Sequence, residues 1–201
     1  MASSTQNTLT NHPHSYGWVS IFIHWFSALT AIGLFAVGWY MVELTYYDPL
    51  YHTLPQWHKA FGLLLALITG FRCVWLLYSH PPTLQASQVW VNAMVRAAHG
   101  LLYLALVVLF VSGYLITTAD GASIELFGWI YVPALMELPP EQTDLLGDIH
   151  EWAAYFLMGL AAGHGGAALF HHVVMKDDTL KRMIKPTHPP LPGSSVSESK
   201  S

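Results

Sequence analysis

Four apolar stretches constrain this chain more than any other feature. They run over about 18–42, 56–78, 93–117 and 146–175, each long enough to cross a ~30 Å hydrocarbon layer as a helix. In lipid, every backbone N–H and C=O must find its partner inside the protein, and a helix achieves this within one segment. The fold class that follows is all-α, a four-helix transmembrane bundle. Composition agrees: 10% of the residues are charged, against about 25% in a soluble chain. The eight Trp and ten Tyr suit aromatic belts at two interfaces.

Three regions are expected. Residues 1–14 form a disordered N-terminal arm, 15–178 the four-span membrane domain, and 179–201 a basic and then disordered tail rich in Pro, Ser and Gly. Pro55 suits the first turn of the second span. Within the long connection 118–145, the stretch "GASIELFGWIYV" reads as a short interfacial helix. The N-terminal residues lack Lys and Arg, and the first apolar run is too long for a signal-peptide core, so no cleaved targeting segment is expected. Arg96, Lys176, Lys181, Arg182 and Lys185 flank one end of the spans, and only Lys59 flanks the other. The positive-inside rule then puts both termini in the cytoplasm. The outer loops carry Glu43, Asp48, Asp120, Glu125, Glu137, Glu141, Asp144 and Asp148. No basic run points to nucleic acid, the single Cys73 has no internal disulfide partner, and the absence of C-x-x-C-H excludes covalent haem attachment.

Ionisable groups within a membrane are costly and mark function by default. His150 and His164 lie fourteen residues apart on the fourth span. Fourteen helical residues rise ~21 Å and turn ~1400°, about 40° short of four full turns. The two imidazoles therefore share a face at two depths. His58 and Arg72 repeat that spacing on the second span, as do His24 and Gly38 on the first and His99 and Gly113 on the third. The outer level thus holds Gly38, His58, Gly113 and His150, and the inner level His24, Arg72, His99 and His164.

This layout suits two stacked haems. His58 and His150 can ligate an outer iron, with Gly38 and Gly113 leaving backbone that a flat macrocycle approaches closely. His164 can ligate an inner iron with either His24 or His99; spacing alone leaves that choice open. Arg72 suits haem propionates through its fixed charge and fork of donors. His171 and His172 lie near the inner interface, where a propionate, a quinone or water are the alternatives. Lys59 either snorkels outward or contacts an anion at the outer face. The glycines also fit plain close helix contacts. A zinc site needs ligands converging on one point, and "HEWAA" at His150 has Ala154 where H-E-x-x-H needs its second histidine. A haem-free, histidine-lined proton or metal-ion transporter is the rival class.

Several stretches together resemble the bacterial-type cytochrome b561 family: "FIHW" around His24, "WHKAFG" around His58, "GFRCVWLL" around Arg72, "AAHGLLYLALVVLFVSGYL", and "WAAYFLMGLAAGHGGAALFHHVVMKDDTLKRM". The resemblance spans about residues 15–186. It implies a multi-pass protein of the bacterial cytoplasmic membrane, holding two haem b groups and exchanging electrons with a ubiquinone-type quinone. It also implies His24 with His164 at the inner haem, choosing His24 over His99, and His58 with His150 at the outer one. Some members of the family oxidise superoxide at the outer face, so an enzyme of that type is one expectation. The acidic outer loops favour instead a cationic periplasmic redox protein as partner.

Overall fold

The outward faces of the helices show what surrounds them. Phe22 is 69% exposed, Leu67 69% and Leu77 77%, exposures that a helix in water would reserve for polar side chains. The computed structural model describes residues 8–13, 15–83 and 89–186. Within them lie four helices long and apolar enough to cross a membrane: α1 (Trp18–Met41), α2 (Thr53–Tyr78), α3 (Val89–Thr117) and α4 (Pro140–Phe170). They form a closed ring in which α1 packs on α2, α2 on α3, α3 on α4, and α4 back on α1. Helix α4 starts earlier than its apolar run, because Pro140 at the first position and Glu141 in the first turn both favour a helix start.

The connection between α3 and α4 corrects the expectation of an interfacial helix. It holds an antiparallel hairpin, β1 (Ile124–Leu126) with β2 (Ile130–Val132), in the register Ile124↔Val132 and Leu126↔Ile130. Apolar residues alternate along β1, and the turn takes positive φ at Phe127 (54°) and Gly128 (84°). A helix would have placed Gly128 in its interior, where glycine is unfavourable. Ile124 and Leu126 bury against Ala60 of α2, with Leu63, Tyr114 and Val132 around them. The Tyr114 hydroxyl donates to the Pro133 carbonyl at 2.7 Å, tying the hairpin to α3.

At the opposite end, residues 8–13 do not behave as the loose arm expected from composition. Trp18 N–H donates to the Thr8 carbonyl at 3.0 Å. Asn11 donates its backbone N–H to Ser79 Oγ and its side-chain amide to the Ser79 carbonyl, both at 2.8 Å. Its Oδ1 accepts from Gly17 N–H at 2.9 Å. The arm therefore clips the start of α1 to the end of α2. A Cβ on Gly17 would lie 2.3 Å from the Leu9 carbonyl oxygen, so only glycine fits there. Gly17→Ala should release the arm and lower stability by about 1–3 kcal/mol, read as a lower midpoint for loss of helical circular dichroism on heating. Residues 1–7 and 187–201, expected to be disordered, lie outside the described residues.

Below α4 the chain changes pitch. His171–Met175 form a single π-helical turn, Lys176 takes a left-handed φ of 55°, and Lys181–Met183 form a 3-10 turn. The basic start of the tail is thus folded back under the bundle.

Candidate functional site

Helix pitch brings the sequence-matched histidines into two levels. At the hairpin end, the His58 and His150 ring centres are 6.3 Å apart with planes at 67°. At the arm end, His24 and His164 are also 6.3 Å apart, with planes at 65°. Two imidazole nitrogens about 2.0–2.1 Å from one metal ion, each about 1.2 Å from its ring centre as ring C–N bonds near 1.33 Å imply, put the centres roughly 6.4 Å apart. Both pairs therefore have the width that a single iron between two axial imidazoles requires.

His99 does not have that width. Its ring centre is 5.1 Å from that of His164, too close for an iron between them. Its Nδ1 lies 2.8 Å from the Val95 carbonyl one turn back on its own helix, the ring donating to that oxygen.

The two glycines at the hairpin end face imidazole rather than open space. A Cβ on Gly113 would come within 3.0 Å of His150 Cε1, and one on Gly38 within 3.3 Å of His58 Cε1. Gly38 on α1 and Gly113 on α3 are therefore sockets for a ring from a neighbouring helix. Gly33 and Gly100 have no such neighbour within 4 Å.

Ser112 was missed from sequence. It is 2% exposed, and its Oγ–H donates to the Val108 carbonyl at 2.7 Å. With that proton committed, Oγ accepts from His150 Nδ1 at 3.0 Å. The ring proton is thereby held on Nδ1, which leaves the Nε2 lone pair free to bind a metal. In sequence, a serine in an apolar helix that bonds back to its own i−4 carbonyl looks the same whether or not it also serves a neighbour. His58 differs from its counterpart: its buried Nδ1 has no hydrogen-bond partner.

At the arm end, Arg72 Nη2 is 3.4 Å from His24 Nδ1, and its guanidinium carbon lies 5.7 Å from the centre of the Tyr103 ring. His171 Nδ1 lies 2.6 Å from Asp177 Oδ2 across the π-helical turn. Burial alone would push the Asp177 carboxyl up, but hydrogen bonds from Thr179 and His171 hold it below its ordinary value. The contact depends on the π-helical turn, which no residue pattern announces. His172 Nδ1 is buried with no partner. Lys59 is half-buried beside His58 and makes no ion pair among the described residues. Among the described residues, no three His, Cys, Asp or Glu side chains converge to hold a bare metal ion.

A multi-pass helical bundle with two stacked imidazole pairs of iron-spanning width belongs to the class of membrane b-type cytochromes. The chain is a member of the prokaryotic cytochrome b561 family, whose model matches residues 15–186. It is 44% identical over 178 residues to cytochrome b561 homolog 2 of Escherichia coli K12, covering 88% of this chain and 95% of that protein. Cytochrome b561 homolog 1 of the same bacterium is 30% identical over 172 residues, covering 82% and 93%. A probable superoxide oxidase of Yersinia pestis, CybB, is 29% identical over 177 residues, covering 84% and 95%. The chain is accordingly a multi-pass electron-transfer protein of the bacterial inner membrane, in a family that carries haem b.

Proposed function

We propose that the chain holds two haem b groups, one between His58 and His150 and one between His24 and His164, and passes electrons between a quinone and a second redox partner. One observation carries this reading: both pairs share a 6.3 Å ring separation, whereas His99 stands at 5.1 Å from His164. Haem iron with both axial positions filled by imidazole carries single electrons and leaves no open position for oxygen. The residues of the chain do the rest. Ser112 orients His150 through its ring proton. Gly113 and Gly38 admit the rings at the depth required. Arg72 supplies positive charge at the arm end. The Lys and Arg bias supports a cytoplasmic arm end, with the hairpin and its carboxylates outside. Dithionite reduction of the purified protein should produce sharp low-spin haem b bands; a featureless visible spectrum would return the haem-free histidine-lined transporter as the better reading.

Ser112→Ala should raise the midpoint potential of one haem only. Donation from His150 Nδ1 to Oγ makes the ring a stronger donor, which favours oxidised iron. Losing a hydrogen bond of about 0.5–1 kcal/mol shifts a one-electron couple by on the order of 20–40 mV upward. The Leu109 carbonyl, 3.4 Å from Oγ, stays as a neighbouring acceptor, so haem should be retained. A potentiometric titration followed in the visible region measures it.

A second reading is favoured by the probable superoxide oxidase among the relatives and by Lys59 next to His58. In it, Lys59 is the landing point for superoxide at the outer face, against a general field of carboxylates. Superoxide should then reduce the wild-type protein, and Lys59→Glu should slow that reduction roughly tenfold. A wild-type protein that superoxide does not reduce would eliminate this reading.

A further inference from the structure

Arg182 is a buried cation for which the described residues offer no anion. It is 9% exposed, and its Nε has no hydrogen-bond partner. The fold takes some trouble to put it there. The chain reverses at Lys176 with φ 55°, and Asp177 is clipped to His171 at 2.6 Å. Trp25 Nε1 on α1 donates to the Met183 carbonyl at 2.6 Å, fastening the 3-10 turn under the bundle. Both carboxylates of this segment are engaged elsewhere: Asp177 with His171, and Asp178 with Lys181 at 3.0 Å. These are the two ion pairs among the described residues.

A second guanidinium stands at the same end, and it too lacks a carboxylate. Arg72 has the 3.4 Å approach to His24 Nδ1 and the face of Tyr103. The Tyr103 hydroxyl is itself buried with no partner. Tyr16, in the docked arm, registers both cations. Burial raises its phenol pKa, and Arg182 and then Arg72 pull it back. Burying a guanidinium without a counter-charge is strongly unfavourable. A planar fork of donors matches the paired oxygens of a carboxylate or a phosphate.

We propose that Arg182 and Arg72, with the Tyr103 hydroxyl, form a two-carboxylate site whose occupants are the two propionates of the haem between His24 and His164. The charges match: two guanidinium groups and two propionates. The proposal rests on the ligand reading above for that pair. In it the C-terminal turn is the closure of the haem site, delivering the second cation after α4 has delivered its ligand. A phospholipid phosphate offers related oxygen chemistry, and the test separates the two.

The experiment is a redox titration of full-length Arg182→Gln protein in mild detergent, with lipid phosphate counted per chain. Removing a positive charge near the haem disfavours its reduced form. The arm-end haem should become roughly tenfold harder to reduce, about 59 mV lower for one electron. The other haem should not move, which reports on intact folding. Arg182→Lys should keep most of the wild-type potential. In the wild type, haem whose propionates are esterified should be held at the arm-end site more weakly than native haem, and Arg182→Gln should lose most of that preference. Equal retention of native and esterified haem by the wild type, with lipid phosphate lost from Arg182→Gln, would assign the site to a headgroup and overturn the proposal. An unchanged arm-end potential in Arg182→Gln with native haem would also overturn it. If His24→Ala and His164→Ala both keep full haem content, the ligand reading itself falls, and that result is distinct from either.

Discussion

His58→Ala protein is expected to purify with one haem per chain, against the two proposed for the wild type. Alanine would remove one of the two proposed ligands and leave His150, held through Ser112 at 3.0 Å, with no second imidazole at that level. The His24–His164 pair lies at the other end of the bundle, on α1 and α4, and shares no ring with it. Fourteen residues separate the levels on α4, ~21 Å of helix. Losses at sites that far apart with no shared partner are independent. His24→Ala should give the mirror result, losing the arm-end haem and keeping the other. The double replacement should carry none. Haem counted by pyridine haemochromogen against protein mass decides this. Two haems retained in both single variants would break the proposed pairs, and loss of both in either would make the levels one cooperative unit.

Gly113→Leu should remove the same haem as His58→Ala without touching a ligand. A Cβ at that position already comes within 3.0 Å of His150 Cε1, closer than nearly all real carbon contacts. The branch atoms of leucine then occupy the space of the ring itself. His150 must swing away, and a ligand displaced by an ångström no longer completes the coordination. At Gly38 the corresponding distance to His58 is 3.3 Å, so Gly38→Leu should be milder. Haem content of the hairpin-end site should fall at least about tenfold in Gly113→Leu, an overpacking cost of about 1–3 kcal/mol or more. Gly33→Ala is the control. It has nothing within 4 Å, and alanine is the better helix former by about 1 kcal/mol. Normal haem occupancy in Gly113→Leu would mean that the glycine is a generic helix contact.

The depth of each histidine was legible because helix pitch is a fixed ruler. Once a segment must be helical, residues fourteen apart share a face, and the pairs across helices follow from matching depths. The choice between His24 and His99 was not legible on that ruler. Both stand at the inner level, and spacing along one helix says nothing about distance across a bundle. The resemblance pointed to His24, and the ring separations of 6.3 and 5.1 Å supply the physical argument for it. The hairpin was misread because an apolar stretch of that length fits a helix or two short strands until the turn is seen. The turn takes positive φ at Phe127 and Gly128, and only the tertiary structure shows Ile124 and Leu126 burying against Ala60.

Ser112, Asp177 and Arg182 share one reason for going unnoticed. Each acts through a partner that is near in space by a route the sequence does not measure. Ser112 reaches His150 from another helix. Asp177 reaches His171 only because the helix loosens into a π-helical turn. Arg182 is buried only because the tail folds back and Trp25 ties it down.

The letters alone determined a four-helix membrane bundle and two tiers of imidazole. Lipid leaves the backbone no alternative to the helix, and helical pitch then sets depth. The tertiary structure alone decided which rings stand an iron's width apart, which glycines receive them, and which cation is buried at the arm end. Those are distances between helices, set by packing of side chains far apart in sequence, and no periodicity along one segment encodes them.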